Sequence, residues 1–133
     1  MEKVNSQTVR FNAGLNISEN LLNIFKFASI CKLKDDIVGQ YEALETAETE
    51  MTFMFEQNPE AKKEVENIKS KYAEAWSIFK KKQSNNYSVP GNIYSQCKEF
   101  LNCYHKRLIY YRDRFGYGAT MNEDVFAANE EWK

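Results

Sequence analysis

Apolar residues recur at intervals of three or four positions through residues 18–57, and this is the longest regular pattern in the chain. The spacing places the apolar side chains on one face of an α-helix. Over residues 21–33 that face is broad, which is typical of a helix that is central in a core or buried in an oligomer. A narrow polar stripe accompanies it, formed by Asn23, Lys26, Ser29 and Lys32. The pattern predicts either one helix or two helices that separate at Gly39 or at residues 34–36.

A sharp boundary follows at Asn58 and Pro59. Asparagine is a preferred N-cap and proline a preferred first helical residue, so a new helix begins here. We expect it to end in the lysine run 80–82, because cations stabilise the negative end of a helix dipole. Residues 83–92 are polar and contain proline and glycine, which predicts a loop, and the apolar spacing after them predicts another helix over residues 93–115.

The N-terminal residues follow a different pattern, since apolar and polar residues alternate over residues 8–17. Alternation predicts an extended segment with one buried face. The apolar side of this segment carries Val9, Phe11 and Leu15. The backbone groups of an extended segment need hydrogen-bond partners. Three arrangements supply them: pairing with the turn at residues 115–121, an arm laid along the helices, or pairing with another chain.

The fold class that follows is mainly α. We expect a helical bundle of three to four longer helices over residues 18–115, an extended N-terminal arm or strand over residues 1–17, and a short acidic C-terminal helix within residues 116–133. The last helix is predicted by the capping-box spacing of Thr120 and Glu123. Hydrophobic residues form 43% of the 133 residues and aromatic residues 14%, which excludes an intrinsically disordered chain.

Apolar runs and cysteine usage bear on the location of the protein. No apolar run reaches the roughly 18 residues of a membrane span, and the first residues lack the apolar core of a signal peptide. Three cysteines, an odd number, are most simply free thiols in a reducing compartment. We therefore expect a cytoplasmic protein without membrane contact. Abundant lysine and asparagine with little arginine also fit a viral or phage protein, which would lie in the host cytoplasm or the virion.

Catalytic and metal-binding residue types are scarce. His105 is the single histidine, and it does not face Cys103, which lies two residues before it. Cys97 and Cys103 point to different sides of a helix and form no CxxC motif. We interpret Cys97 as a core residue and His105 as a surface residue. The sequence holds no glycine-rich phosphate loop. It therefore predicts no catalytic residues, no metal, no cofactor and no small-molecule substrate.

Charge is strongly segregated, although the formal net charge is only −1. Residues 42–66 carry two basic and eight acidic side chains, whereas residues 67–115 carry ten basic and three acidic ones. One interpretation is internal, because helices joined by the tight turn at Asn58 are antiparallel neighbours that can neutralise each other. Exposed ion pairs of this kind contribute about 0–1 kcal/mol each.

The other interpretation is that the basic region binds nucleic acid. Lys98, His105 and Arg112 recur every seven residues and fall on one side of the predicted helix. Cations interleaved with aromatic rings are typical of surfaces that bind single-stranded nucleic acid. The candidate nucleic-acid-binding residues are Lys98, His105, Lys106, Arg107, Tyr110, Arg112 and Arg114.

Protein binding is the leading hypothesis, because residues 51–55 hold more large apolar side chains than one helix face can bury. Phe53 lies about 200° around the helix from Met51. Such side chains either cover the N-terminal arm or form a protein-binding patch. Phe126 and Trp132 either dock on the basic helix or anchor to a partner. The candidate partner-binding residues are Val9, Phe11, Leu15, Met51, Phe53, Met54, Phe126 and Trp132.

The sequence thus predicts a non-catalytic protein–protein interaction or assembly protein that binds a protein partner or copies of itself. An adaptor and a structural or regulatory subunit are equally consistent with it. The alternative is a nucleic-acid-binding accessory protein that uses the basic, tyrosine-rich helix over residues 94–117.

Overall fold

Helices make up nearly all of the described chain. The computed structural model describes residues 13–81 and 91–117, and in those ranges it contains six α-helices and no strand. The helices are α1 (Ala13–Leu33), α2 (Ile37–Glu50), α3 (Thr52–Gln57), α4 (Pro59–Lys71), α5 (Ala73–Lys81) and α6 (Gly91–Arg114). The mainly α prediction is confirmed.

The helices form four rods that run alternately in opposite directions. Helix α1 is the first rod, α2 with α3 the second, α4 with α5 the third and α6 the fourth. Asp35 bonds Lys98 at one end of the bundle, and Phe55 packs on Phe115 at the other, so the second and fourth rods run parallel. Each is flanked by an antiparallel neighbour, which gives an up-down-up-down bundle.

Two aspartates build the turn between α1 and α2. Asp35 has a φ of 61°, a left-handed conformation that aspartate tolerates, and the N–H of Asp36 donates to the carbonyl of Cys31 at 2.8 Å. This is a Schellman ending of α1. Asp36 also caps α2, because its carboxylate accepts from the N–H of Gly39 at 2.9 Å. Of the alternatives that the sequence left open, the structure has two helices that separate at residues 34–36, and Gly39 lies inside α2.

The carboxylate of Asp35 fixes this turn to the start of α6. Lys98 Nζ donates to it at 2.6 Å, and the Tyr94 hydroxyl donates at 2.5 Å. These two bonds, the Lys98 bond most, lower the pKa of Asp35 below its ordinary value. The turn between the first two rods is thereby tied to the fourth rod.

Helix α1 begins at Ala13, so the prediction of an extended segment is wrong for residues 13–17. Ile17 packs against the core, and buried Leu21 follows it one helical turn later. Burial along a helical stripe thus outweighs the local alternation of apolar and polar residues. Residues 1–12, with Val9 and Phe11, and residues 118–133, with the predicted C-terminal helix, lie outside the described residues.

Two predicted helices are interrupted. Met51 separates α2 from α3, and its N–H is shared between the carbonyls of Ala47 and Glu48 at 3.2 and 3.1 Å. Tyr72, with a φ of −114° and a ψ of 47°, separates α4 from α5. Met51 is fully buried and Tyr72 packs against the core, so the residue at each interruption also contributes its side chain to the packing of the bundle.

The ring of Phe100 lies at the centre of the core. Its centroid is 5.3 Å from that of Tyr104, 6.1 Å from Phe79 and 6.3 Å from Tyr41. These rings come from α6, α5 and α2, so one aromatic cluster joins three of the four rods. Well-placed aromatic pairs contribute about 0.5–1.5 kcal/mol beyond the burial of their area.

The carboxylate of Glu48 joins the same three rods by polar contacts. The Tyr104 hydroxyl donates to Glu48 Oε1 at 2.5 Å, and Lys69 Nζ lies 3.0 Å from that oxygen. Burial, reinforced by Glu48, raises the pKa of Tyr104 well above its ordinary value. Lys69 also lies 5.7 Å from the ring centres of Trp76 and Tyr104, within cation–π range.

Further ion pairs join the acidic and basic segments. Lys80 pairs with Glu45 at 3.4 Å, and Arg107 pairs with Glu64 at 3.7 Å. Both pairs connect different rods, as the internal interpretation of the charge segregation predicts. Their side chains are between a third and a half exposed, so these pairs contribute less than the Glu48 contacts.

We predict that Glu48→Gln lowers the free energy of unfolding by about 2 kcal/mol, because it leaves largely buried Lys69 without its close counter-charge. The matched control is Glu45→Gln, which removes an exposed pair with Lys80 and should cost about 0–1 kcal/mol. Urea unfolding followed by circular dichroism measures both values. Equal losses in the two variants would contradict the special position of Glu48.

Candidate protein-binding surface

The outer face of α1 carries large apolar side chains that the bundle does not cover. The inner face of the helix holds Leu21, Phe25 and Ala28, each 0% exposed. On the outer face, Phe27 is 55% exposed, Ile30 48% and Leu33 63%. These three residues follow one another every three positions, so they form a continuous ridge along the helix.

A groove between α1 and α2 lies beside this ridge. It has a volume of about 380 Å³ and is lined by Asn23, Ile24, Phe27, Glu42, Ala43 and Thr46. The Thr46 hydroxyl donates to the carbonyl of Glu42 at 2.9 Å, so it is already bonded within its own helix. We call the ridge of Phe27, Ile30 and Leu33, together with this groove, the α1 apolar surface. Exposed apolar side chains beside a groove of this kind are typical of protein-interaction sites.

The predicted patch at residues 51–55 is divided by the structure. Met51 is fully buried and Phe55 is 4% exposed, so both belong to the core. Met54 is half-buried, whereas Phe53 is 67% exposed. Met51 therefore offers nothing to a partner, and the large apolar side chain that leaves the helix face is Phe53. Leu15, predicted for the arm, lies in the first turns of α1.

His105 and Arg112 are buried, so the interpretation of His105 as a surface residue is wrong. They share a side of α6 with Lys98, as the spacing predicts, but that side faces α1. The His105 ring stacks on Phe25 at 5.8 Å, and the Arg112 guanidinium lies 5.5 Å from the same ring. Arg112 also donates twice to the Asp113 carboxylate, at 2.9 and 2.7 Å.

The remaining nucleic-acid candidates lie on the outside of α6. Lys106 is exposed, and Tyr110 is 43% exposed. Arg107 and Arg114 flank the Tyr110 ring, with guanidinium carbons 4.9 and 5.7 Å from its centre. Arg107 is also paired with Glu64. Four of the seven candidates therefore share an outer surface, His105 and Arg112 are buried against α1, and Lys98 is bonded to Asp35 in the α1–α2 turn.

The Cys97 thiol lies in the core. Cys97 is fully buried, as predicted, and burial raises its pKa to about 11, which keeps the thiol protonated at neutral pH.

Residues 13–81 and 91–117 contain no group of three or more histidine, cysteine, aspartate or glutamate side chains placed to hold a metal ion. Within the same residues, no helix is both long enough and apolar enough to cross a membrane.

Comparison of the chain with protein-family models, with curated proteins and with solved structures gives no match.

The sequence pattern pointed to α1 but not to Phe27 and Ile30. The breadth of the apolar face over residues 21–33 exceeds what a bundle helix can bury, and this excess was the available signal. The predicted polar stripe obscured it, because Ser29 belongs to that stripe and is nevertheless 5% exposed. The polar stripe therefore does not mark the whole exposed side of α1, which also carries Phe27 and Ile30.

The single histidine should make stability depend on pH. Gln40 Nε2 donates to His105 Nδ1 at 3.1 Å, so the buried imidazole is neutral, and burial, with a smaller effect of Lys32, holds the pKa of His105 well below its ordinary value. The unfolded chain takes up the proton below about pH 6.5 while the folded chain does not. Stability should therefore fall by up to about 1.4 kcal/mol per pH unit below that point.

Urea unfolding at a series of pH values between neutral and mildly acidic measures this slope. The matched variant is His105→Gln, which retains an amide near Gln40 and has no titrating ring. It should lack the slope between neutral pH and the range where carboxylates begin to titrate. An equal slope in both proteins would assign the dependence to other groups.

Proposed function

We propose that this protein is a non-catalytic assembly module, and that it binds a second copy of itself through the α1 apolar surface. The supporting observation is the exposure of Phe27, Ile30 and Leu33 beside an apolar groove. Burial of apolar area is favourable by about 25 cal/mol per Å². A contact that covers these side chains is therefore the association that the surface favours most.

The second copy is favoured as the partner because the surface is self-complementary. A two-fold interface brings the same patch of both subunits together, so each patch must offer both projections and depressions. The α1 apolar surface has both: the Phe27 and Ile30 side chains are projections, and the groove between α1 and α2 is a depression that can hold such side chains from the other copy. An antiparallel pairing of two copies of α1 lets each ridge enter the groove of the other.

The charges at the ends of α1 agree with this pairing. Glu19 is exposed near the start of the helix, and Lys34 is exposed just after its end. In an antiparallel pair centred between Lys26 and Phe27, Glu19 of each copy lies opposite Lys34 of the other. Complementary charges at the rim of an apolar contact fix its register more than they add affinity.

The basic side chains support this proposal over nucleic-acid binding. Two of the seven candidate cations and rings, His105 and Arg112, are buried against α1. Lys98 is bonded to Asp35, and Arg107 is paired with Glu64. A surface that binds nucleic acid requires several cations directed at phosphates together.

We predict that Phe27→Glu and Ile30→Glu each weaken self-association about 10-fold or more. Full burial of such a side chain contributes about 1.5–3 kcal/mol. About half of each side chain is exposed in the monomer, so its burial contributes about half of that value, and a two-fold interface loses it twice. Analytical ultracentrifugation over a concentration series measures the association constant. Circular dichroism checks that each variant keeps its fold, which is expected because both side chains are about half exposed or more.

The matched control is Phe53→Glu, which changes an apolar side chain of similar exposure on α3. It should leave the association constant unchanged. A wild-type chain that stays monomeric at every concentration would overturn the proposal. Dissociation by Phe53→Glu but not by Ile30→Glu would move the interface to α3 and overturn it equally.

A further inference from the structure

A second concave surface lies at the opposite end of the bundle from the α1–α2 turn. This cleft has a volume of about 620 Å³ and separates the α3–α4 junction from the last turns of α6. Pro59 and Ala61 line one wall, and Tyr110, Tyr111, Arg114 and Phe115 line the other. We call it the α6 cleft.

The α6 wall of the cleft is aromatic and cationic. Tyr111 stacks on Phe115 at 5.6 Å and meets Tyr110 edge to face at 5.0 Å. Arg114 lies over the Tyr110 ring, and its Nη1 donates to the Tyr110 hydroxyl at 3.4 Å. Lys106 is exposed two turns earlier along the same helix. This wall suits an occupant that offers both an aromatic ring and negative charge.

The chain leaves α6 beside this cleft. Gly116 has a φ of 90°, its N–H donates to the carbonyl of Asp113 at 3.1 Å, and the N–H of Tyr117 donates to the carbonyl of Arg112 at 2.9 Å. These bonds form a Schellman turn that ends the helix. Phe115, which lines the cleft, is therefore only three residues from the start of residues 118–133.

We propose that residues 118–133 occupy the α6 cleft and place the Trp132 side chain against the rings of its α6 wall. This segment carries Phe126 and Trp132. Sixteen residues reach about 24 Å as a helix and about 53 Å when extended, so the segment can span the cleft in either form. The occupant is thus part of the same chain, held near its site by direct covalent connection.

Charge supports the same occupant. Residues 118–133 carry four acidic side chains and one basic one. Arg114 is an exposed cation of the α6 wall, and exposed Lys106 lies one turn before Tyr110 on the same helix, whereas the exposed anion Glu60 lies on the α4 wall. The α6 wall is therefore the side of the cleft that attracts an acidic segment. This inference is independent of the proposed self-association, because the α6 cleft and the α1 apolar surface share no residue.

The test uses the full chain with Trp76→Phe, which leaves Trp132 as the single tryptophan. Acrylamide quenching of its fluorescence measures how accessible Trp132 is. We expect Trp132 to be protected in the native protein compared with the same chain in guanidinium chloride. Lys106→Glu combined with Arg114→Glu should remove that protection, because both substitutions put negative charge opposite the acidic segment.

The matched control is Lys71→Glu combined with Lys81→Glu, which makes the same change in charge at exposed positions outside the cleft. It should keep Trp132 protected. Trp132 that is fully accessible in the native protein would overturn the proposal. Protection that survives the Lys106 and Arg114 substitutions would also overturn it, and protection that disappears on dilution would assign the contact to another copy.

Discussion

The carboxylate of Glu48 is the point at which the acidic and basic parts of this chain meet inside the fold. It accepts from Tyr104 on α6 and pairs with Lys69 on α4, while the aromatic cluster around Phe100 joins the same rods. A largely buried carboxylate is tolerated only where its charge and its lone pairs are satisfied. The Glu48 carboxylate therefore ties the second, third and fourth rods together at one point.

Neutralisation inside the bundle has a consequence for its outside. Lys69, Lys98 and Arg107 are held by carboxylates of other rods, and Arg112 is buried against Phe25. Several cations of the basic segment therefore hold the rods of the bundle together. The first rod takes no part in the Glu48 contacts, and its outer face leaves Phe27, Ile30 and Leu33 in contact with water. The Glu48 contacts join the second, third and fourth rods, whereas the proposed association uses the first rod, α1.

Local chemistry made the boundaries of the rods predictable. Asn58 with Pro59 marks the start of α4, and residues 34–36 mark the turn between α1 and α2. The start of α1 was not predictable from the alternation before it, because the burial that decides it comes from tertiary contacts. The periodicity correctly predicted that His105 shares one side of α6 with Lys98 and Arg112. It could not predict that His105 is buried, because the ring that covers it, Phe25, is distant in sequence. The exposed face of α1 could likewise be identified only from the structure, because burial is decided by contacts between residues that are distant in sequence.

The most direct test locates the contact between copies without altering the chain. Amide ¹H–¹⁵N chemical shifts of the full protein, followed on dilution, report which residues change surroundings as the association dissociates. The account predicts that the shifts that change cluster on the outer face of α1 around Phe27 and Ile30 and on the facing turn of α2 around Ala43. Changes confined to α6 between His105 and Arg114, or no changes at any concentration, would contradict it.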